Sequence, residues 1–230
     1  MKVLEILEKI PLFSEMDKSD LLKIKAVLNE KEYSKEESIF FETDRGDIFY
    51  IVYEGRVKIY NVSREGQVKI LDFLEEGDFF GEMALIDEMP RSANALAVED
   101  SRLLTITHNQ FQKFLKKHPD ILFKITKTLC RRLRKADLEI ELMTFGDVQS
   151  RLVSCLINMS KKYGVDRGSS KLIPPIFTHQ QLSELVGTSR EVVSRMLKKL
   201  RDKKLVETGK DREIIIPSLS SLEKLLEKSH

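Results

Sequence analysis

Residues 178–197 read THQQLSELVGTSREVVSRML, and this stretch decides how the chain is parsed. Thr178 is a helix-capping residue type, and apolar residues follow it at helical spacing as far as Val186. Gly187 supplies a tight turn, and Ser189 caps a second helix that begins at Arg190. Two helices joined by so short a turn predict a helix-turn-helix. Leu182, Val186, Val193 and Leu197 are expected to face inward and lock the pair. Arg190, Glu191, Ser194 and Arg195 then face outward near the amino end of the second helix, where recognition helices read the major groove. Arginine can take both guanine acceptors, O6 and N7, and glutamate can accept from the cytosine amine. The plain alternative is a surface ion pair between Glu191 and Arg195. The basic hairpin that follows, with Lys203, Lys204, Lys210 and Arg212, favours DNA.

Charge along the chain points the same way. Residues 151–230 hold 16 Lys/Arg against 9 Asp/Glu, a net +7, whereas residues 1–150 hold 23 against 28, a net −5. Only the back half is expected to meet a polyanion. Moving toward the amino terminus, LIPPIF (172–177) predicts a short edge ribbon, Gly164–Ser170 a turn-rich loop, and Asp147–Tyr163 a helix capped by Asp147. Gly146 costs about 1 kcal/mol in a helix interior, so Phe145-Gly146-Asp147 is read as the boundary between residues 1–145 and 146–230. Before it, Leu122, Ile125, Leu129, Leu133, Ala136, Ile140 and Met143 recur at gaps of three and four. A narrow apolar seam of that length, about 119–145, suits either lying along the β region or pairing with its own copy, and a homodimer is the expectation. His108–Lys117 predicts a shorter helix.

From Tyr33 to Thr107 the pattern is β-prone: IFYIVY (48–53), VKIY (57–60), VKILDFL (68–74), NALAVED (94–100) and RLLTIT (102–107). Gly46, Gly55, Gly66, Gly77 and Gly81 punctuate these runs as tight turns do in an antiparallel roll or barrel. Residues 4–9 and 17–30 carry helical spacing, with Leu21, Leu22, Ile24 and Leu28 on one face. The expected fold is α+β: an antiparallel roll or barrel with a long dimerisation helix, then a helix-turn-helix and a hairpin. Within the roll, residues 77–85 (GDFFGEMAL) and Pro90-Arg91-Ser92-Ala93 carry a second chemistry. Gly81 lets the backbone approach a ligand and opens a helical turn whose free amides suit an anion. Glu82 can accept from sugar hydroxyls, Arg91 offers a planar fork to a phosphate, and Ser92 adds a hydroxyl. Together they read as a phosphate–ribose clamp, against the plainer reading of a loop ion pair between Glu82 and Arg91.

The stretch Phe177–Pro217 resembles the winged helix-turn-helix of the Crp/Fnr family. The spacing of Ser189, Arg190, Glu191 and Arg195 is similar to that of its cyclic-AMP receptor branch. The resemblance implies that Arg190, Glu191 and Arg195 read a G·C-containing half-site, while Thr178, Gln180 and Ser189 hold phosphates. Residues 77–93 resemble the phosphate-binding cassette of cyclic-nucleotide-binding domains, found from bacterial regulators to kinase regulatory subunits. That implies a ligand set of Gly81, Glu82, Met83, Arg91 and Ser92, joined by Arg132 and Asp137 from the long helix. Glu82 would take the ribose 2′-hydroxyl and Arg91 the cyclic phosphate. For the fold, the resemblance carried by residues 77–93 and 177–217 implies a double-stranded β-roll and a winged helix-turn-helix. One departure stands out. Where the cyclic-AMP receptor branch has a threonine–serine pair that reaches the adenine, this chain has Ala136 and Asp137. A carboxylate only accepts hydrogen bonds, so it suits the guanine edge at least as well as adenine. Cyclic AMP is the leading effector, with cyclic GMP or a cyclic dinucleotide as alternatives. The plain reading of Asp137 is a solvated helix position near Arg134.

The implied protein is a cytoplasmic, effector-gated transcription regulator that binds palindromic double-stranded DNA and RNA polymerase. Its same-family alternatives are a haem or redox sensor and a ligand-independent regulator. No cysteine precedes Cys130, which argues against an iron–sulfur cluster held by thiolates, and no His or Cys spacing suggests a metal site. There is no P-loop, G-x-G-x-x-G, G-x-S-x-G or H-E-x-x-H, so an enzyme is not expected. A kinase-type regulatory subunit would lack residues 177–217. No apolar run approaches the ~18 residues of a membrane helix, and the amino terminus lacks a small-residue cleavage site.

Overall fold

The computed structural model describes residues 4, 7, 8, 10–168, 170–174, 177–209 and 213–227. The chain divides into two compact units, Met1–Arg131 and Arg132–His230.

The first unit begins with α1 (Lys18–Lys25), whose amino end is capped by the Asp17 carboxylate accepting from the Asp20 amide at 2.9 Å. Eight strands follow: β1 (Asn29–Tyr33), β2 (Ser38–Phe40), β3 (Ile48–Glu54), β4 (Val57–Val62), β5 (Val68–Leu74), β6 (Phe79–Phe80), β7 (Asn94–Ala97) and β8 (Ser101–Thr107). A one-and-a-half-turn helix, α2 (Met83–Asp87), interrupts them, and α3 (His108–Lys117) ends the series. The strands form two antiparallel four-stranded sheets, ordered β1-β8-β3-β6 and β2-β7-β4-β5. This is the expected roll.

Strand β3 shows why a continuous apolar run is needed. Alternate side chains of a strand point to opposite faces, and both faces of β3 are covered. Tyr50 and Val52 join Val57, Phe80, Ala95 and Leu103 inside the roll. Phe49, Ile51 and Tyr53 pack outside it with Phe13, Phe111, Phe114, Ile121 and Ile125. Phe49 stacks on Phe111 with ring centroids 4.5 Å apart. Each such side chain contributes about 1.5–3 kcal/mol on burial.

Three expectations are corrected here. The helix read over 17–30 stops at Lys25, and Leu22 is exposed rather than in the seam. Residues 29–33 instead form β1, an edge strand paired with β8, Asn29 opposite Thr105. Its charged residues face solvent and guard the sheet edge. The strands β2 and β6 are too short to show a period. Of the helix expected over 4–9, Leu4, Leu7 and Glu8 are helical and the others lie outside the described residues.

The long helix α4 (Pro119–Thr144) is continuous for 26 residues. Leu133, Ile140 and Met143 of its seam are largely exposed, Ile140 at 62%.

In the second unit, Asp147 caps α5 (Val148–Tyr163), accepting from the Ser150 amide at 2.8 Å and its hydroxyl at 2.7 Å. Those two donors hold the Asp147 carboxyl below its usual range. The loop expected over 164–170 is a hairpin, β9 (Val165–Arg167) and β10 (Ser170–Ile173). The ribbon expected at 172–177 is not an edge, because β10 lies between β9 and β12 (Ile214–Ile216). Pro175 and Ile176 of that ribbon lie outside the described residues. The remaining elements are α6 (His179–Val186), α7 (Arg190–Asp202), β11 (Glu207–Thr208) and α8 (Leu219–Glu227). Helix α8, which the sequence pattern did not suggest, packs on α5 through the fully buried Leu222.

Candidate functional site

Two side-chain groups carry chemistry, one in each unit. In the first, β6 delivers Gly81 and Glu82 to the start of α2, and the loop before β7 delivers Arg91. Gly81 has φ +77°, and a Cβ there would stand 2.6 Å from Arg91 Nη1 and 3.1 Å from the Ile48 carbonyl. Only glycine fits both the angle and the space.

Arg91 is 5% exposed. Its Nη1 donates to the Gly81 carbonyl at 2.8 Å and its Nη2 to the Ile48 carbonyl at 2.7 Å. Its Cζ lies 4.4 Å from the Phe40 ring centroid and 5.7 Å from that of Tyr50. Burial pulls the Arg91 pKa down, opposed by Tyr50, Asp47, Glu82 and Asp44, yet an arginine starts so high that it stays a cation. Burial likewise pushes the Tyr50 hydroxyl up to about 12. The Nε of Arg91 is buried and has no hydrogen-bond partner among the described residues. A buried orphan donor costs about 1–3 kcal/mol, more when charged, so the guanidinium fits a site that an anion completes.

Glu82 is 2% exposed and stands at the cap position of α2. Met83 and Ser92 are exposed, and the Ser92 hydroxyl lies 3.6 Å from the Met83 sulfur. On the long helix, Arg132 is half-buried, whereas Ala136 and Asp137 are exposed. No ion pair joins Asp137 to Arg134 among the described residues. A cavity of about 710 Å³ opens beside the cassette, lined by Thr43, Arg45, Gly46, Asp47, Ala84 and Glu88 among others. Glu82, Arg91 and Ser92 are not on its wall.

In the second unit, Thr178 and Gln181 form a reciprocal cap. The Gln181 amide donates to Thr178 Oγ1 at 3.1 Å, and the Thr178 amide donates to Gln181 Oε1 at 2.9 Å. Gly187 ends α6 in the left-handed region, φ +72°, its amide donating to the Ser183 carbonyl at 2.9 Å. Leu182, Val186, Val193 and Leu197 are all buried, as the spacing predicted. Arg190, Glu191 and Arg195 are exposed, as are Thr178, Gln180 and Ser189.

Glu191 makes no ion pair with Arg195 among the described residues. Its own amide first, then the Ser189 hydroxyl and Arg190, hold its carboxyl below the usual range. Ser194 does not face outward freely: it is half-buried and its hydroxyl sits 2.9 Å from His179 Nδ1, tying α6 to α7. Gln180 donates to Glu184 at 2.9 Å. Lys210 and Arg212 lie outside the described residues. The sequence pattern did not point to His179 or, in the roll, to Phe40, and it marked Gly46 only as a turn residue. None of them carries a spacing signal, since their partners are distant in the chain. No group of three or more His, Cys, Asp or Glu among the described residues is placed to hold a metal, and no described helix is long and apolar enough to cross a membrane.

Comparison with known proteins covers both groups. Residues 30–118 match the family model of the cyclic nucleotide-binding domain, and residues 150–225 match that of the Crp-like helix-turn-helix domain. The cyclic AMP receptor protein of Thermus thermophilus is 34% identical over 179 residues, which is 77% of this chain and 79% of that protein. Among solved structures, the c-di-GMP responsive global regulator CLP of Xanthomonas campestris aligns with TM-score 0.74 and 25% identity, covering 87% of this chain and 99% of that one. A CooA mutant from Carboxydothermus hydrogenoformans shares the fold with TM-score 0.78 at 21% identity, over 89% of this chain and 90% of that one.

Proposed function

Because the chain belongs to the Crp/Fnr family of transcription regulators, we propose that it is a bacterial, cytoplasmic regulator gated by a cyclic nucleotide bound in the roll. The observation that carries this reading is Arg91. Its guanidinium is buried, held in place by two carbonyls, and keeps an Nε unpartnered among the described residues. An anion there would supply what burial removed, and a cyclic phosphate has the right charge and size. Glu82 would accept from the ribose 2′-hydroxyl, and Gly81, Met83 and Ser92 would complete the clamp. Arg132 and Asp137 are the candidates on the long helix. Asp137, exposed on the helix, can only accept hydrogen bonds, which favours a regulator that takes a guanine nucleotide at least as well as cyclic AMP.

In the second unit, Arg190, Glu191 and Arg195 would read base edges, while Thr178, Gln180, Ser189 and Lys210 would hold phosphates. The exposed seam of the long helix would pair two copies, and a two-fold protein would select a palindromic site. RNA polymerase would be the downstream partner, and residues 145–147 the hinge between a 1–145 sensor and a 146–230 DNA-binding domain. Effector and DNA would raise each other's affinity by the same factor. The test is calorimetric titration with cyclic AMP, cyclic GMP and cyclic di-GMP, on the native protein and Asp137→Ala, followed by gel shifts on a selected site. Binding of none of the three ends the cyclic-nucleotide reading. Unchanged affinities in Asp137→Ala end its role in reading the base.

A further inference from the structure

An arginine that is to grip an anion must first be held still, because its long side chain otherwise loses much rotational freedom on binding. Arg91 is held at both its backbone and its guanidinium, and apart from the Gly81 carbonyl the groups that hold it come from outside the cassette. The main chain of the loop between β2 and β3 grips its backbone. The Thr43 amide donates to the Arg91 carbonyl at 3.0 Å, and the Arg91 amide donates to the Asp44 carbonyl at 2.9 Å. Thr43 holds φ +74° to do so, a conformation rare for a β-branched residue.

At the other end, the guanidinium lies 4.4 Å from the Phe40 ring centroid. Phe40 is itself fixed against Tyr50 and Phe80, with ring centroids 5.7 and 5.8 Å away. Gly46 closes on the same group: a Cβ there would collide with Ala84 Cβ and stand 3.1 Å from Arg91 Cζ and 3.2 Å from its Nε.

We propose that Phe40 and Gly46 are positioning residues for Arg91, the ring and the bare backbone together fixing the guanidinium so that the clamp is built before its ligand arrives. The inference rests on the reading of Arg91 as the phosphate partner. Phe40 contributes a cation–π attraction that an aliphatic side chain of similar volume cannot replace. Gly46 contributes absence, leaving the loop close enough to shut water away from the guanidinium.

The experiment uses the full chain and the variants Phe40→Leu, Phe40→Tyr and Gly46→Ala, each checked for a folded circular dichroism spectrum. The first readout is the Arg91 Nε–H resonance, assigned by its loss in Arg91→Lys. A ring beneath the guanidinium should shift that proton upfield in the native protein and in Phe40→Tyr, and Phe40→Leu and Gly46→Ala should move it back. The second readout is cyclic AMP affinity, expected to fall about tenfold in Phe40→Leu, at least as far in Gly46→Ala, and to recover in Phe40→Tyr. Native protein that binds no cyclic nucleotide would overturn the functional reading alone, and the resonance would still decide the positioning. A resonance unmoved in both Phe40→Leu and Gly46→Ala, or native affinity in both, would overturn the proposal itself. Should Phe40→Leu not fold, Gly46→Ala carries both readouts.

Discussion

Gly81 and Gly66 form a natural controlled pair. Both sit in the left-handed region, at φ +77° and +80°, but a Cβ at Gly66 would meet nothing within 4 Å, whereas one at Gly81 would meet Arg91 Nη1 at 2.6 Å and the Ile48 carbonyl at 3.1 Å. Substituting alanine at Gly66 therefore costs only the backbone strain, about 1 kcal/mol. At Gly81 the same strain is joined by loss of the Arg91–Gly81 hydrogen bond. A hydrogen bond to a charged group is worth about 1.5–3 kcal/mol, so with the strain Gly81→Ala should cost about 2.5–4 kcal/mol. For a unit of this size, 1 kcal/mol lowers Tm by about 4 °C, which predicts a fall of about 4 °C for Gly66→Ala and roughly 10–16 °C for Gly81→Ala. The chain has five tyrosines and no tryptophan, and Tyr33, Tyr50, Tyr53 and Tyr60 all belong to the roll. Near-ultraviolet circular dichroism of tyrosine consequently follows that unit's melting. Gly66→Ala should also titrate cyclic AMP like the parent, while Gly81→Ala should not bind it measurably. If the two variants melt together, Arg91 does not lean on Gly81 as described.

Three further outcomes follow from the second unit and the long helix. Asp147→Ala should destabilise the second unit by about 1 kcal/mol through loss of its cap. Since the folded carboxyl titrates below its ordinary 3.8, the cap's contribution is complete above that value and fades as pH falls through the lower folded pKa; urea unfolding at pH 7 and pH 3 should show parent and variant converging in acid. Arg190→Ala should lose about 1–3 kcal/mol of discrimination at one G·C pair, and a binding selection that returns the parent's preference would count against base readout by that residue. Ile140→Asp places a charge in the exposed seam of the long helix; sedimentation should show the population moving from dimer to monomer, and an unchanged dimer would locate the interface elsewhere.

Much of this architecture was legible from the chain alone, because local physics encodes it. Helix caps such as Thr178, Ser189 and Asp147 act within three residues of themselves, and the apolar period of α4, α6 and α7 repeats within a turn. The long β runs show for the same reason: a strand covered on both faces, as β3 is, must be apolar throughout. Strand β1 was hidden because an edge strand needs only backbone pairing, so its sequence, NEKEY, carries no alternation. The clamp divides in the same way. Gly81, Glu82 and Arg91 stand close enough in sequence to suggest a common purpose. Which atoms Arg91 engages depends on Ile48, Phe40 and Gly46, brought to it from 43 to 51 positions away by the pairing of β2 with β7 and β3 with β6. Contacts of that kind leave no period and no spacing in the chain, because they are set by sheet order and by the space left when the roll closes.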